Sequence, residues 1–174
     1  MSNPFALFDL PVAFSLDLDL LNNRYLALQK SLHPDNFAHR STQEQRLAMQ
    51  KSAEVNDALQ ILKDPIARAD SIIALHLHLG SQNVEEKTSQ DMAFLMQQMQ
   101  WREALEDIEQ QKDSDALMQF SDQISAQRQE ILSQLNTALS AQDWATAQML
   151  TDRLRFIKKL LLEVERIEDN LMDF

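Results

Sequence analysis

A single glycine, Gly80, and four prolines confined to the first 65 residues leave this 174-residue chain few places to turn a hairpin. Tight β-turns depend on such residues. The β-branched residues are scattered and do not alternate, whereas apolar residues recur at intervals of three and four. That spacing is helical, and it points to an all-α fold. Asn3-Pro4 reads as an N-cap and first helical position, with Pro11 beyond the helix end. A second helix starts near Asp17 and carries the stripe Leu18, Leu21, Tyr25, Leu28, Leu32. Pro34 must end it, because proline disfavours a helical residue before it.

The Ser41-Thr42 caps open a third helix, with Glu44 and Gln45 placed for capping-box contacts. Its stripe is Leu47, Val55, Leu59 and Leu62. Asp64-Pro65 starts a fourth helix that runs to about Leu77. Gly80 and a polar run then mark a boundary, giving a first domain over 1–78, a linker over 79–90 and a second domain over 91–174. Three helices over about 91–112, 115–140 and 144–172 fill the second domain. Connections this short predict an antiparallel three-helix bundle.

Charge narrows the partners. Residues 1–80 hold 7 Lys/Arg and 9 Asp/Glu, a net of −2, and residues 81–174 hold 9 and 18, a net of −9. An acidic chain repels phosphate backbones, so neither half reads as a nucleic-acid binder. A basic protein surface would be drawn to the second half. There is no cysteine, which excludes disulfides, thiolate catalysis and cysteine-held zinc or iron–sulfur clusters. No apolar run is long enough for a membrane span, and no basic segment precedes an apolar one at the start. A cytoplasmic protein with no membrane partner, no cofactor and no bound metal is the expectation.

His33-Pro34-Asp35 falls between two amphipathic helices. Pro34 fixes its own backbone, so His33 and Asp35 would project from a rigid tip, a placement that favours recognition over packing. Tyr25-x-x-Leu28 lies upstream, and Val55-Asn56-Asp57-Ala58-Leu59-Gln60-Ile61-Leu62-Lys63-Asp64-Pro65-Ile66-Ala67-Arg68-Ala69 lies downstream. In order and spacing this resembles the J-domain pattern over roughly residues 3–75. The resemblance implies that His33, Pro34 and Asp35 dock on a DnaK-class chaperone and trigger its ATP hydrolysis, with Arg24 and Lys30 as the basic residues of the preceding helix. Asn36 stands where J-domains commonly have lysine.

Three other readings compete. The tripeptide could be only a helix stop. His33 and Asp35 could be an acid–base pair, although the chain carries no nucleophile elbow, metal cluster or phosphate loop beside them. His76-x-His78 could bind metal, but residues two apart on a helix point to different sides.

On a helix of about 100° per residue, Met92, Leu95, Met96 and Met99 cluster within about 60° of one direction. Phe94, Trp101, Leu105 and Ile108 cluster within about 40° of the opposite one. The second face runs the length of the helix and must be core. The first gives way to Glu103, Glu106 and Asp107, and a methionine patch continuing into carboxylates suits a protein partner. From the wheel alone, packing of that face against the first domain is equally admissible.

Asp91-x-Ala93-Phe94-Leu95-Met96-x-x-Met99, Arg102-Glu103, Leu154-Arg155-Phe156 and Leu171-Met172-Asp173-Phe174 are similar to the HscB family, J-domain co-chaperones of bacterial iron–sulfur cluster assembly. With Asp64–Ala69 the likeness spans nearly the whole chain. It implies no enzymatic activity of the chain itself, a partner chaperone of the HscA type, and an IscU-type scaffold as client. It implies that Leu95, Met96, Met99, Arg102, Glu103 and Phe156 hold the scaffold. A monomer is the expectation for the chain. Gln100 and Ala104 stand where that family often has acidic residues, and the zinc-binding N-terminal cysteines of eukaryotic relatives are absent.

Overall fold

In a computed structural model the described residues are 3–80 and 91–172, and the chain divides into two compact units, Met1–Gly80 and Ser81–Phe174. No strand occurs among the described residues. The first unit contains α1 (Pro4–Leu7), α2 (Leu18–Ser31), a 3₁₀ turn (Pro34–Phe37), α3 (Thr42–Lys63) and α4 (Pro65–Gly80). The second contains α5 (Met92–Gln111), α6 (Ser114–Ser140) and α7 (Trp144–Met172). α4 runs three residues past the expected Leu77, so the predicted linker over 79–90 overlaps its last turn and otherwise lies outside the described residues.

The helix starts follow from short polar side chains. Asn3, Asp17, Ser41 and Asp64 each accept a hydrogen bond from a backbone N–H of the helix they open, satisfying donors that have no intrahelical partner. In the second unit Asp113 and Asp143 do the same for α6 and α7.

Helix ends meet a harder constraint. Asp9, Lys112 and Gln142 take left-handed backbone with φ of 53°, 53° and 58°. Around each, the next two N–H groups fold back on the last turn. Asp9 and Leu10 donate to Ala6 and Phe5, Lys112 and Asp113 to Glu109 and Ile108, Gln142 and Asp143 to Leu139 and Ala138. These are Schellman closures made without glycine, at a cost of about 1 kcal/mol each. The residue that ends one closure caps the next helix at Asp113 and at Asp143, so the reversals are tight and the bundle is antiparallel.

In the first unit Phe5, Phe8, Leu21, Val55 and Leu62 are fully buried, joined by Leu59, Ala69, Ile72 and Ile73. Two residues of the predicted stripes fall elsewhere. Leu18 sits in the first turn of α2 and is exposed, and Leu47 is exposed while its neighbour Ala48 is buried. Toward the tip the α2–α3 pair is held by polar groups. The Tyr25 hydroxyl donates to Asn56 Oδ1 at 2.7 Å, Gln29 Nε2 donates to the same oxygen at 2.8 Å, and Ser52 Oγ donates to Gln29 Oε1 at 2.9 Å.

Arg68 explains the Asp64–Ala69 segment. Its guanidinium donates to the Leu62 carbonyl at 2.7 Å and lies 4.7 Å from the centre of the Phe14 ring, so it joins the end of α3 to the loop before α2. Burial holds its pKa below the ordinary arginine value, opposed by the Asp64 charge. In the second unit α6 and α7 share a long seam built from Leu117, Phe120, Ile124, Ile131 and Leu135 against Ala147, Leu154, Ile157, Leu160 and Val164. α5 joins it through Phe94, Trp101 and Leu105.

Lysine cannot reproduce the planar, stacked fork of Arg68. Arg68→Lys is therefore expected to destabilise the first unit by about 1–2 kcal/mol, read as faster amide exchange across α3 and α4. Unchanged exchange would show that the guanidinium contributes nothing to the junction.

Candidate functional sites

The tip of the first unit is built from the proline outward. His33 has φ −57° and ψ 138°, extended backbone that ends α2, and Pro34 occupies the first position of the 3₁₀ turn. The Asp35 N–H donates to His33 Nδ1 at 3.2 Å. Asp35 Oδ2 approaches the same Nδ1 at 3.5 Å. Both side chains stay outside the core, at 60% and 92% exposure, so the loop offers an imidazole and a carboxylate to solvent.

Asn36, the departure from the usual lysine, has a structural task. Its amide donates to the carbonyls of Lys30 at 2.7 Å and Ser31 at 3.2 Å, closing the end of α2. Gln45 of α3 reaches back to the Phe37 carbonyl at 3.0 Å, fixing the other side of the tip. Of the two predicted basic residues, Lys30 is exposed. Arg24 is turned inward, donating to the carbonyls of Phe8 at 2.9 Å and of Asp9, the left-handed residue behind α1. The tip therefore combines His33, Pro34, Asp35 and Lys30, with Arg24 acting at the base of α2.

In the second unit α5 shows both faces that the wheel predicts. Phe94, Trp101 and Leu105 are buried, while Met92, Leu95, Met96 and Met99 are 64%, 49%, 62% and 70% exposed. Glu103 is exposed on the same side, one turn beyond Met99. Phe156 is different. It lies on α7, half-buried, stacked on Trp101 at 6.3 Å and edge-on to Phe94 at 5.8 Å. Arg102 connects the two regions, its guanidinium 5.3 Å from the centre of the Phe156 ring. Of the six predicted client residues, four therefore share the open face, and Arg102 leads from it to Phe156. Beyond Phe156 a groove of about 650 Å³ continues between α5 and α7, floored by Leu105, Leu160 and Ile167.

Two residues outside the predicted set organise this corner. Asp91 stands at the N-cap position of α5 but makes no capping hydrogen bond. Both its oxygens instead accept from Arg153, at 2.7 Å each, in a bidentate pair. That hydrogen bonding holds the Asp91 carboxyl below its ordinary range against the opposing effect of burial, and raises the Arg153 pKa. The Phe94 backbone N–H adds the smallest lowering at Asp91. The Arg153 guanidinium also lies 5.1 Å from the centre of the Phe94 ring.

Among the described residues, no group of three His, Asp or Glu side chains converges to hold a metal ion. His76 is half-buried in α4, and the His78 side chain lies outside the described residues. No helix of the described residues is long and apolar enough to cross a membrane.

Known proteins are similar to this chain in sequence and fold. Residues 90–165 match the family model described as the HSCB C-terminal oligomerisation domain. A co-chaperone protein HscB homolog from Mannheimia succiniciproducens is 67% identical over 174 residues, covering 100% of both chains. The chaperone HscB from Vibrio cholerae superposes with a TM-score of 0.82 at 41% identity, covering 98% of this chain and 99% of that one. The human co-chaperone HscB superposes with a TM-score of 0.85 at 25% identity, covering 97% and 83%. With a J-type tip on one helical unit, an open methionine face on the other, and relatives matched from end to end, the chain belongs to the HscB family of co-chaperones.

Proposed function

We propose that this chain is a matchmaker. Residues 1–78 act as the J-domain, 79–90 as a linker, and 91–174 as the client-binding domain. The first stimulates ATP hydrolysis by an HscA-type chaperone of the DnaK class, and the second delivers an IscU-type scaffold to it, in support of iron–sulfur protein maturation. The observation that supports this reading is that two separate compact units each carry an exposed surface, a polar tip on the first and an apolar helix face on the second.

At the first surface His33, Pro34 and Asp35 engage the ATPase, with Lys30 beside them and Arg24 anchoring the base of α2. The exposed imidazole and carboxylate supply directional polar contacts, and the closed end of α2 keeps them in one geometry. At the second surface Leu95, Met96 and Met99 contribute apolar contact with adaptable side chains. Glu103 lies on the same face one turn on, and Arg102 and Phe156 border it, so one charge of each sign sets orientation.

Holding the client on one unit and the ATPase on the other raises the client's effective concentration at the chaperone. Hydrolysis then traps the client in the chaperone's tight-binding state. This coupling is a free-energy linkage between partners, so the chain needs neither a catalytic group nor a cofactor. One copy carries both surfaces, so a monomer in the cytoplasm suffices.

His33→Gln removes the ring but not the helices, and is expected to bring stimulation of HscA-type ATPase down to the basal rate. Scaffold affinity should stay within about twofold, because the substitution lies in the other unit. Loss of both would mean that the chain has misfolded. Leu95→Ala combined with Met96→Ala is expected to weaken scaffold binding at least about 30-fold, since buried anchor residues contribute about 1–2 kcal/mol each. Calorimetry reads this directly, and unchanged affinity would remove the face from the interface.

A further inference from the structure

The start of α5 combines two properties that pull in opposite directions. Its first turns carry the largely exposed side chains Met92, Leu95, Met96 and Met99, which add little to the core of their own unit. No side chain makes a capping hydrogen bond to the first turn of α5, because both Asp91 oxygens accept from Arg153, and the Phe94 N–H is left with only a minor interaction at that carboxylate. A helix end held by so little frays unless something else ties it down. In this stretch inward packing comes from Phe94, and from Trp101 two turns later.

What replaces the cap is a tertiary tie. Arg153 lies on α7, 62 residues from Asp91, and grips both carboxylate oxygens at 2.7 Å. Its guanidinium also approaches the Phe94 ring at 5.1 Å, and Phe94 touches Trp101 and Phe156 edge-on, each at 5.8 Å. Arg153 precedes Phe156 by three residues, so both sit on one side of α7. One arginine thus bears on the first residue before the methionine face and on the aromatic group behind it. The pair is only about a quarter exposed, at 25% and 27%, and is screened less than an open surface bridge.

We infer that the Asp91–Arg153 bridge is a positioning element: it fixes the first turns of α5 on α7, so that Leu95, Met96 and Met99 are presented already ordered to the scaffold. The inference rests on the reading of that face as the client surface. Preorganisation strengthens binding by reducing the ordering that association must impose. Neither Asp91 nor Arg153 has to touch the partner. Removing the bridge therefore acts on affinity through the order of α5, while its contact residues remain in place.

A double-mutant cycle in the full chain tests this, using Asp91→Asn, Arg153→Gln and the two combined. Asparagine is itself a good N-cap, and Asp91→Asn leaves Arg153 free to stay over Phe94. Each single substitution is expected to speed amide exchange over residues 92–99 about tenfold, and to weaken binding of an IscU-type scaffold by about the same factor. Exchange in the α6–α7 seam should remain within about twofold. The double variant should be no worse than the worse single, because one interaction is lost in all three.

Unchanged exchange over 92–99 in Arg153→Gln would overturn the proposal, as would additive losses in the double variant. Loss of scaffold affinity with no change in exchange would make Arg153 or Asp91 a direct contact and sink the positioning role. If the unsubstituted chain failed to bind scaffold, the client reading would fall and take the presentation role with it. The exchange data would still show separately whether the bridge orders α5.

Discussion

Every helix leaves carbonyls at its end that nothing inside the helix can satisfy, and in a chain with one glycine several helices close them with residues that resist left-handed backbone. Asp9, Lys112 and Gln142 accept that conformation. The outcome shapes both units. In the first, the closure at Asp9 leaves carbonyls for Arg24, which ties α1 to the base of α2. In the second, each closure is followed at once by an aspartate that opens the next helix, so the reversals are short and the helices antiparallel.

The two units present their surfaces by different physical means. At the J-type tip the groups are few, polar and held tightly. Pro34 fixes the backbone, Asn36 closes α2, and the Tyr25–Asn56–Gln29–Ser52 network joins the helices that flank the loop. Such a tip suits a partner that reads geometry. On α5 the exposed groups are broad and flexible, chiefly methionine, and suit a partner whose surface must be matched by repacking. Adaptable side chains are useful only on a backbone that stays in place, and the aromatic trio with Arg153 and Arg102 supplies the footing.

Much of this was legible in the sequence wherever the deciding interaction is local. Asn3, Ser41 and Asp64 act within three residues, and each caps the helix it was expected to cap, while Asp17, expected only near the start of α2, caps it as well. The two faces of α5 followed from helical period alone. The exposed Leu47 and buried Ala48 did not, because both fit an apolar stripe and only the close approach of neighbouring helices selects the smaller side chain. Asn36 was read as a missing lysine, since its part in ending α2 depends on how the 3₁₀ turn folds back. The Asp91–Arg153 pair had no sequence signal, as nothing in the pattern links residues 62 apart. The inward turn of Arg24 was hidden for a similar reason, because its acceptors exist only once Asp9 has adopted φ 53°.

The central claim is that binding of one partner is linked to the action on the other through this chain. Single-turnover ATP hydrolysis by an HscA-type chaperone measures that linkage directly, with this protein and an IscU-type scaffold added separately and together. The account predicts that the rate with both exceeds the product of the two separate stimulations. A rate with both no greater than that with this protein alone would contradict it, leaving a J-type activator whose second unit serves a different client.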